Sequence, residues 1–143
     1  MSTPPATVVL DNEAVQALAD VNHRKHRRTL AILEATNRRS GRRGQHISVV
    51  VPVAVRIEAG WDRAASAAAA LNRISRTRDV ILDGQAADRA TQLRRQAGCS
   101  VVDATVAQAA EASDGPVAIL TSDASDMRRL AALIAGDTRV VRL

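Results

Sequence analysis

The chain has 143 residues, a formal net charge of +5 and one cysteine, Cys99. That length suits a single domain over 1-143, large enough to stand without disulfides. No apolar run approaches the ~20 residues of a membrane span. With Phe and Tyr absent and Trp61 the sole aromatic, an aromatic base-stacking platform is excluded as well.

The lone cysteine suits a reducing setting, and we expect a cytoplasmic protein. Residues 1-6 lack the basic start and apolar core of a secretory signal and read as a frayed lead-in. The positive charge is arginine apart from Lys25. Such a balance favours a polyanionic partner, and any RNA contact would rest on arginine, backbone amides and metal.

Thr7-Val8-Val9-Leu10 reads as a first strand ending at Asp11. Ala14, Val15, Leu18 and Ala19 then recur at helical spacing, so strand feeds helix as in a βαβ unit. Asn22 is a candidate N-cap for a second helix over about His23 to Asn37. Its basic start and the loop Arg38 to Gly44 offer two readings. One is a solvated face with a flexible loop; the other is a phosphate-contacting rim that includes Arg24, Arg27, Arg28, Arg42 and Arg43. Metal binding by His23 and His26 is disfavoured by the arginines around them.

Ile47 to Val51 is a second strand, stopped by Pro52, which opens a short helix carrying Glu58. After Gly60, an alanine-rich helix starts at Trp61 or Asp62 and continues to Ile74. Val80-Ile81-Leu82 is a third strand, closed by Asp83-Gly84. A helix with Ala86, Ala90, Leu93 and Ala97 on one face follows, and Gly98 ends it. Gly98 to Val102 is then required to cross to the other sheet edge before Asp103 opens the helix Ala104 to Ala112. Val117 to Leu120 forms a fourth strand that passes through Thr121-Ser122-Asp123 into a helix with Met127, Leu130 and Ile134. Arg139 to Leu143 is an edge strand. This alternation predicts an α/β fold: three-layer α/β/α with a mostly parallel sheet of about five short strands.

In such a sheet the strand C-termini share one edge, where ligands bind. Asp11 and Asp123 meet there if their strands are neighbours, and Asp103 and Glu58 can join them. Each acid also has a structural reading. Asp11, Asp103 and Asp123 suit helix caps, Asp126 suits a helix dipole, and Glu58 suits a surface charge. Converging carboxylates repel one another and call for protons or cations. An all-oxygen set suits Mg2+ or Mn2+.

The sequence thereby resembles the PIN-domain ribonucleases, of the VapC-like toxin kind found in type II toxin–antitoxin modules. Four segments carry the resemblance, over essentially the whole chain: Val8-Val9-Leu10-Asp11, Pro52 through Glu58-Ala59, Gly98 through Asp103-Ala104, and Leu120-Thr121-Ser122-Asp123 with Asp126. Two details depart from the family pattern: Asn12-Glu13 follow the first acid, and Met127 replaces an aromatic. The resemblance implies a Mg2+- or Mn2+-dependent endoribonuclease toxin that hydrolyses RNA phosphodiesters. It further implies a homodimer and a small antitoxin protein that neutralises it. Asp11, Glu58, Asp103 and Asp123 would be catalytic and metal-binding, with Asn12, Thr121, Ser122 and Asp126 auxiliary. The rival is a non-catalytic PIN-like module that binds RNA or protein. A phosphatase or receiver domain fits less well, because Lys25 is not at a strand end and no Asp-x-Asp follows the first strand.

Overall fold

The computed structural model describes residues 3–74 and 80–143. Four parallel strands form the sheet in the order β2-β1-β3-β4, and seven α-helices of the described residues flank it in an α/β/α arrangement. The central strands, β1 (Thr7–Leu10) and β3 (Val117–Thr121), are buried at every position. Strands covered on both faces read as continuous apolar runs, and these two do. The edge strands β2 (Ser48–Val50) and β4 (Thr138–Arg142) are more exposed.

β1 pairs on one side with β2 and on the other with β3, so the winding reverses between β1 and β3. Crevices at such switch points are the usual ligand sites of open parallel sheets. The register aligns Leu10 with Leu120, and the backbone N–H of Asp11 continues the ladder to the Leu120 carbonyl at 3.0 Å. Asp11 and Thr121 therefore arrive together at the C-terminal edge.

Helix α1 (Asn12–Ala19) buries Ala14, Val15, Ala17 and Leu18. It packs against β1, β3, α2 (His26–Gly41), α3 (Val53–Ala59) and α4 (Ala69–Ile74). Helices α5 (Gly84–Ala97), α6 (Val101–Glu111) and α7 (Ala124–Ala131) pack together, and α6 also contacts β1 and β3.

Several expectations need correction. The α/β class and parallel sheet are as expected, with four strands among the described residues against about five expected. Among the described residues, Val80 makes a single parallel bridge to Pro52, and Ile81 and Leu82 are exposed. Pro52 has no N–H to extend that ladder. Pro4 and Pro5 are buried, and Ala6 bonds both Pro116 and Ser48 through its backbone, so the lead-in is anchored from there; Met1 and Ser2 lie outside the described residues. Helix α2 begins at His26, not after an Asn22 cap, because Asp20 accepts the Asn22 N–H and holds the preceding segment in a turn. The alanine-rich stretch is not one helix. Asp62 accepts the Ala64 N–H, Ala65 is extended, and a short 3-10 turn (Ser66–Ala68) precedes α4. Such local side-chain bonds compete with helix formation.

A half-buried clamp ties the second helical layer together. Arg89 on α5 donates to both oxygens of Glu111 on α6, at 2.7 and 2.9 Å, and to the Leu133 carbonyl at 3.1 Å. Glu111 also accepts the Ala135 N–H at 3.1 Å. The Arg89 guanidinium, more than any other group, holds the Glu111 carboxyl below the usual carboxylate range. The folded protein thus binds that proton less tightly than the unfolded chain. The clamp's stabilisation is present at neutral pH and is lost as pH falls through Glu111's depressed value. Glu111→Ala should lower stability by about 2 kcal/mol at pH 7 and by much less at pH 3, read by urea denaturation. Equal losses at both pH values would refute this account.

Candidate metal centre

The β3–α7 junction builds one side of the site. Thr121 is fully buried. Its hydroxyl donates to Asp11 Oδ2 at 2.7 Å and accepts the Asp123 N–H at 3.0 Å. One side chain thereby fixes both acids. Asp11 Oδ1 accepts the Asn12 N–H at 2.7 Å, and Asp123 Oδ1 accepts the Asp126 N–H at 3.3 Å. Both acids therefore cap the helices that follow them, as their structural readings required. Capping and ion binding coexist here, because each carboxylate has more lone pairs than the cap uses. Ser122 is exposed; Thr121 is the hydroxyl that contacts the acids.

Asp103 arrives by a different route from the one expected. Helix α6 starts at the C-terminal sheet edge, so no crossing is needed. Gly98, at φ +63°, ends α5. The chain turns at once, and Ser100 caps α6 by accepting the Asp103 N–H at 3.1 Å. Asp103 therefore sits in the first turn of α6 and is not its cap. The tight turn lets α5 and α6 pack as a helical hairpin, which brings Asp103 straight to the edge.

One oxygen each from Asp103, Asp123 and Asp126 lies within 4.8 Å of the others. Burial pushes the Asp103 carboxyl above its ordinary value, and the charge of Asp11 adds to the rise, followed by those of Asp123 and Asp126; a hydrogen bond from Ser100 opposes it. The buried Asp11 is thus electrostatically part of the cluster. Asp126, expected only as an auxiliary, is one of the three close acids. Glu58 is exposed on α3 and stands outside that trio.

The donor set fits Mg2+ or Mn2+: it is all oxygen, partly open to solvent, and its four carboxylates meet one cation among the described residues, Arg129, which pairs with Asp126. The side-chain oxygen of Asn12, next to Asp11, is buried and has no hydrogen-bond partner. Such an orphan acceptor is an unmet need at the start of α1. Glu13 adds no free charge, since Lys25 Nζ lies 3.2 Å from it and His23 Nε2 lies 3.8 Å away. His26 engages the Ala17 carbonyl through Nδ1, so both histidines have structural partners. Cys99 is buried, and burial, reinforced by Asp103, pushes its thiol pKa up, as for an inert thiol.

The arginines do not form one rim. Arg28 donates to the Arg142 carbonyl at the end of β4, at the edge that bears the acids. Arg24 and Arg27 lie in exposed positions near it in sequence. Arg42 and Arg43 follow the far end of α2, where Ser40 bonds the Pro5 carbonyl before β1. The helix separates the two groups by roughly 20 Å. Only the first group shares the acidic edge.

No protein-family model matches the chain, and no curated protein matches it significantly. Fold and site together define a parallel α/β protein with a carboxylate cluster at the sheet's switch point. No helix of the described residues is long and apolar enough to cross a membrane.

Proposed function

We propose that this protein is a PIN-like, Mg2+- or Mn2+-dependent endoribonuclease of the toxin type. One observation carries the reading: Asp103, Asp123 and Asp126 converge within 4.8 Å, and Asp11 is linked to Asp123 through Thr121. A phosphate-binding surface without catalysis gains nothing from clustered carboxylates, which repel its ligand. A bound divalent ion supplies a Lewis acid for phosphodiester hydrolysis. Asp103, Asp123 and Asp126 would hold it, with Asp11 beside them through Thr121. Thr121 keeps Asp11 and Asp123 in fixed orientations. Arg24, Arg27 and Arg28 would draw the RNA backbone to the acidic edge, and activity should fall as salt rises.

The test is RNA cleavage by purified protein with Mg2+, Mn2+ or a chelator. Cleavage that needs metal supports the enzyme. RNA binding without metal-dependent cleavage supports the non-catalytic rival instead. The toxin reading adds a small antitoxin protein that covers the acidic edge.

A homodimer is part of the same proposal. A groove of about 270 Å3 runs between α5 and α6, lined by Leu82, Ala90, Val101 and Ala104 among others. Val101 is 56% exposed and Ile81 75%. Val101 and Asp103 lie about half a turn apart round α6, so self-association through the groove would leave the acids open. Val101→Asp should shift the protein to monomer in sedimentation analysis, with its fold intact. An unchanged sedimentation coefficient, or a wild-type monomer, would remove this interface.

A further inference from the structure

Arg129 makes two contacts with separate elements. Its Nη2 pairs with Asp126 Oδ1 at 2.5 Å, and its Nη1 donates to the Ala97 carbonyl at 3.0 Å. Ala97 is the last residue of α5 and immediately precedes Gly98. That turn leads to Ser100 and so to Asp103. One guanidinium therefore links the acid-bearing start of α7 to the turn that delivers the acid of α6.

We infer that Arg129 is a positioning residue, which sets the spacing between Asp126 and Asp103 by bridging Asp126 to the α5–α6 turn. This rests on the metal-site reading above. The three close carboxylates repel, and the load falls on the α6–α7 contact. Without a tie, the two helix starts relax apart. Arg129 opposes that motion through a planar fork that serves two acceptors at once, which a lysine ammonium does not reproduce. It also engages Oδ1 of Asp126 and so leaves Oδ2 as the oxygen free of the pair. Residues that orient ligands from behind typically alter metal affinity by about 10-fold or more when replaced.

The alternative effect has the opposite sign. A cationic side chain next to a cation site repels the ion, and its removal would then tighten binding. The experiment is Mn2+ titration calorimetry on wild type, Arg129→Gln and Arg129→Lys, with RNA cleavage measured against Mn2+ concentration. The expected result is about a 10-fold weaker Mn2+ affinity for Arg129→Gln and little rescue by Arg129→Lys, because charge alone does not restore the bridge. Unchanged or tighter Mn2+ binding by Arg129→Gln overturns the inference, as does full rescue by lysine. Wild-type protein that binds no Mn2+ overturns the metal-site reading too, which separates the two failures.

Discussion

Asp11→Asn and Asp123→Asn should each reduce metal-dependent RNA cleavage by about 100-fold or more, equivalent to ~2.7 kcal/mol of transition-state stabilisation. The two substitutions disturb the fold differently. Asparagine caps helices as well as aspartate does, so Asp123→Asn should keep the bond to the Asp126 N–H and leave α7 in place. Asp11→Asn keeps an acceptor for the Asn12 N–H but turns an amide toward Thr121. The Thr121 hydroxyl, which now donates to Asp11 Oδ2, must then find another acceptor, at a cost of about 1 kcal/mol. Loss of activity in Asp123→Asn with unchanged stability is therefore the cleaner result. Wild-type rates in both variants would remove the enzyme reading altogether.

Metal binding should stabilise the wild-type fold, and Asp103→Asn should abolish that effect while making the metal-free protein more stable. At 100 times its dissociation constant, a ligand specific for the folded state adds about 2.7 kcal/mol, which for a domain of this size is a rise of roughly 5–10 °C in Tm. The metal-free behaviour follows from linkage. The folded-state pKa of Asp103 is raised by burial and by neighbouring acids, so the folded chain holds that proton more tightly than the unfolded chain. Stability then falls as pH rises from the ordinary carboxylate range through the raised value. Asparagine carries no such proton, and the variant should lack this slope. Its metal-free Tm at neutral pH should exceed that of wild type, and added Mn2+ should shift it little. A metal-free Asp103→Asn protein less stable than wild type, or one with the full Mn2+ shift, contradicts the account. The Glu111 clamp has the opposite slope, because its partner is a cation.

The two slopes show why position mattered more than residue type. Asp103 and Glu111 lie on one helix, eight residues apart. In the sequence both are acids beside alanines. Asp103 meets other acids, whereas Glu111 meets Arg89 from α5. The second pair leaves no local signal in the sequence, since its residues stand 22 positions apart on different helices. Arg129 is partly hidden in the same way. Its pairing with Asp126 is at helical spacing and could have been read, but its bond to Ala97 depends on packing.

The chain alone determined the α/β class, the places where β1 and β3 end, and the acids at those ends. Short apolar strands that stop at Asp11 and at Thr121-Ser122-Asp123 are local patterns, and local burial and capping rules govern them. The apolar run 80–82 does not form a strand, because a strand needs a neighbour that offers a ladder and Pro52 cannot extend one. Tertiary structure alone decided the strand order that makes β1 and β3 neighbours and the hairpin turn that delivers Asp103 without a crossing. It also decided that Asp126, rather than Glu58, joins the closest acids. These depend on contacts between residues far apart in sequence, which periodicity and propensity do not encode.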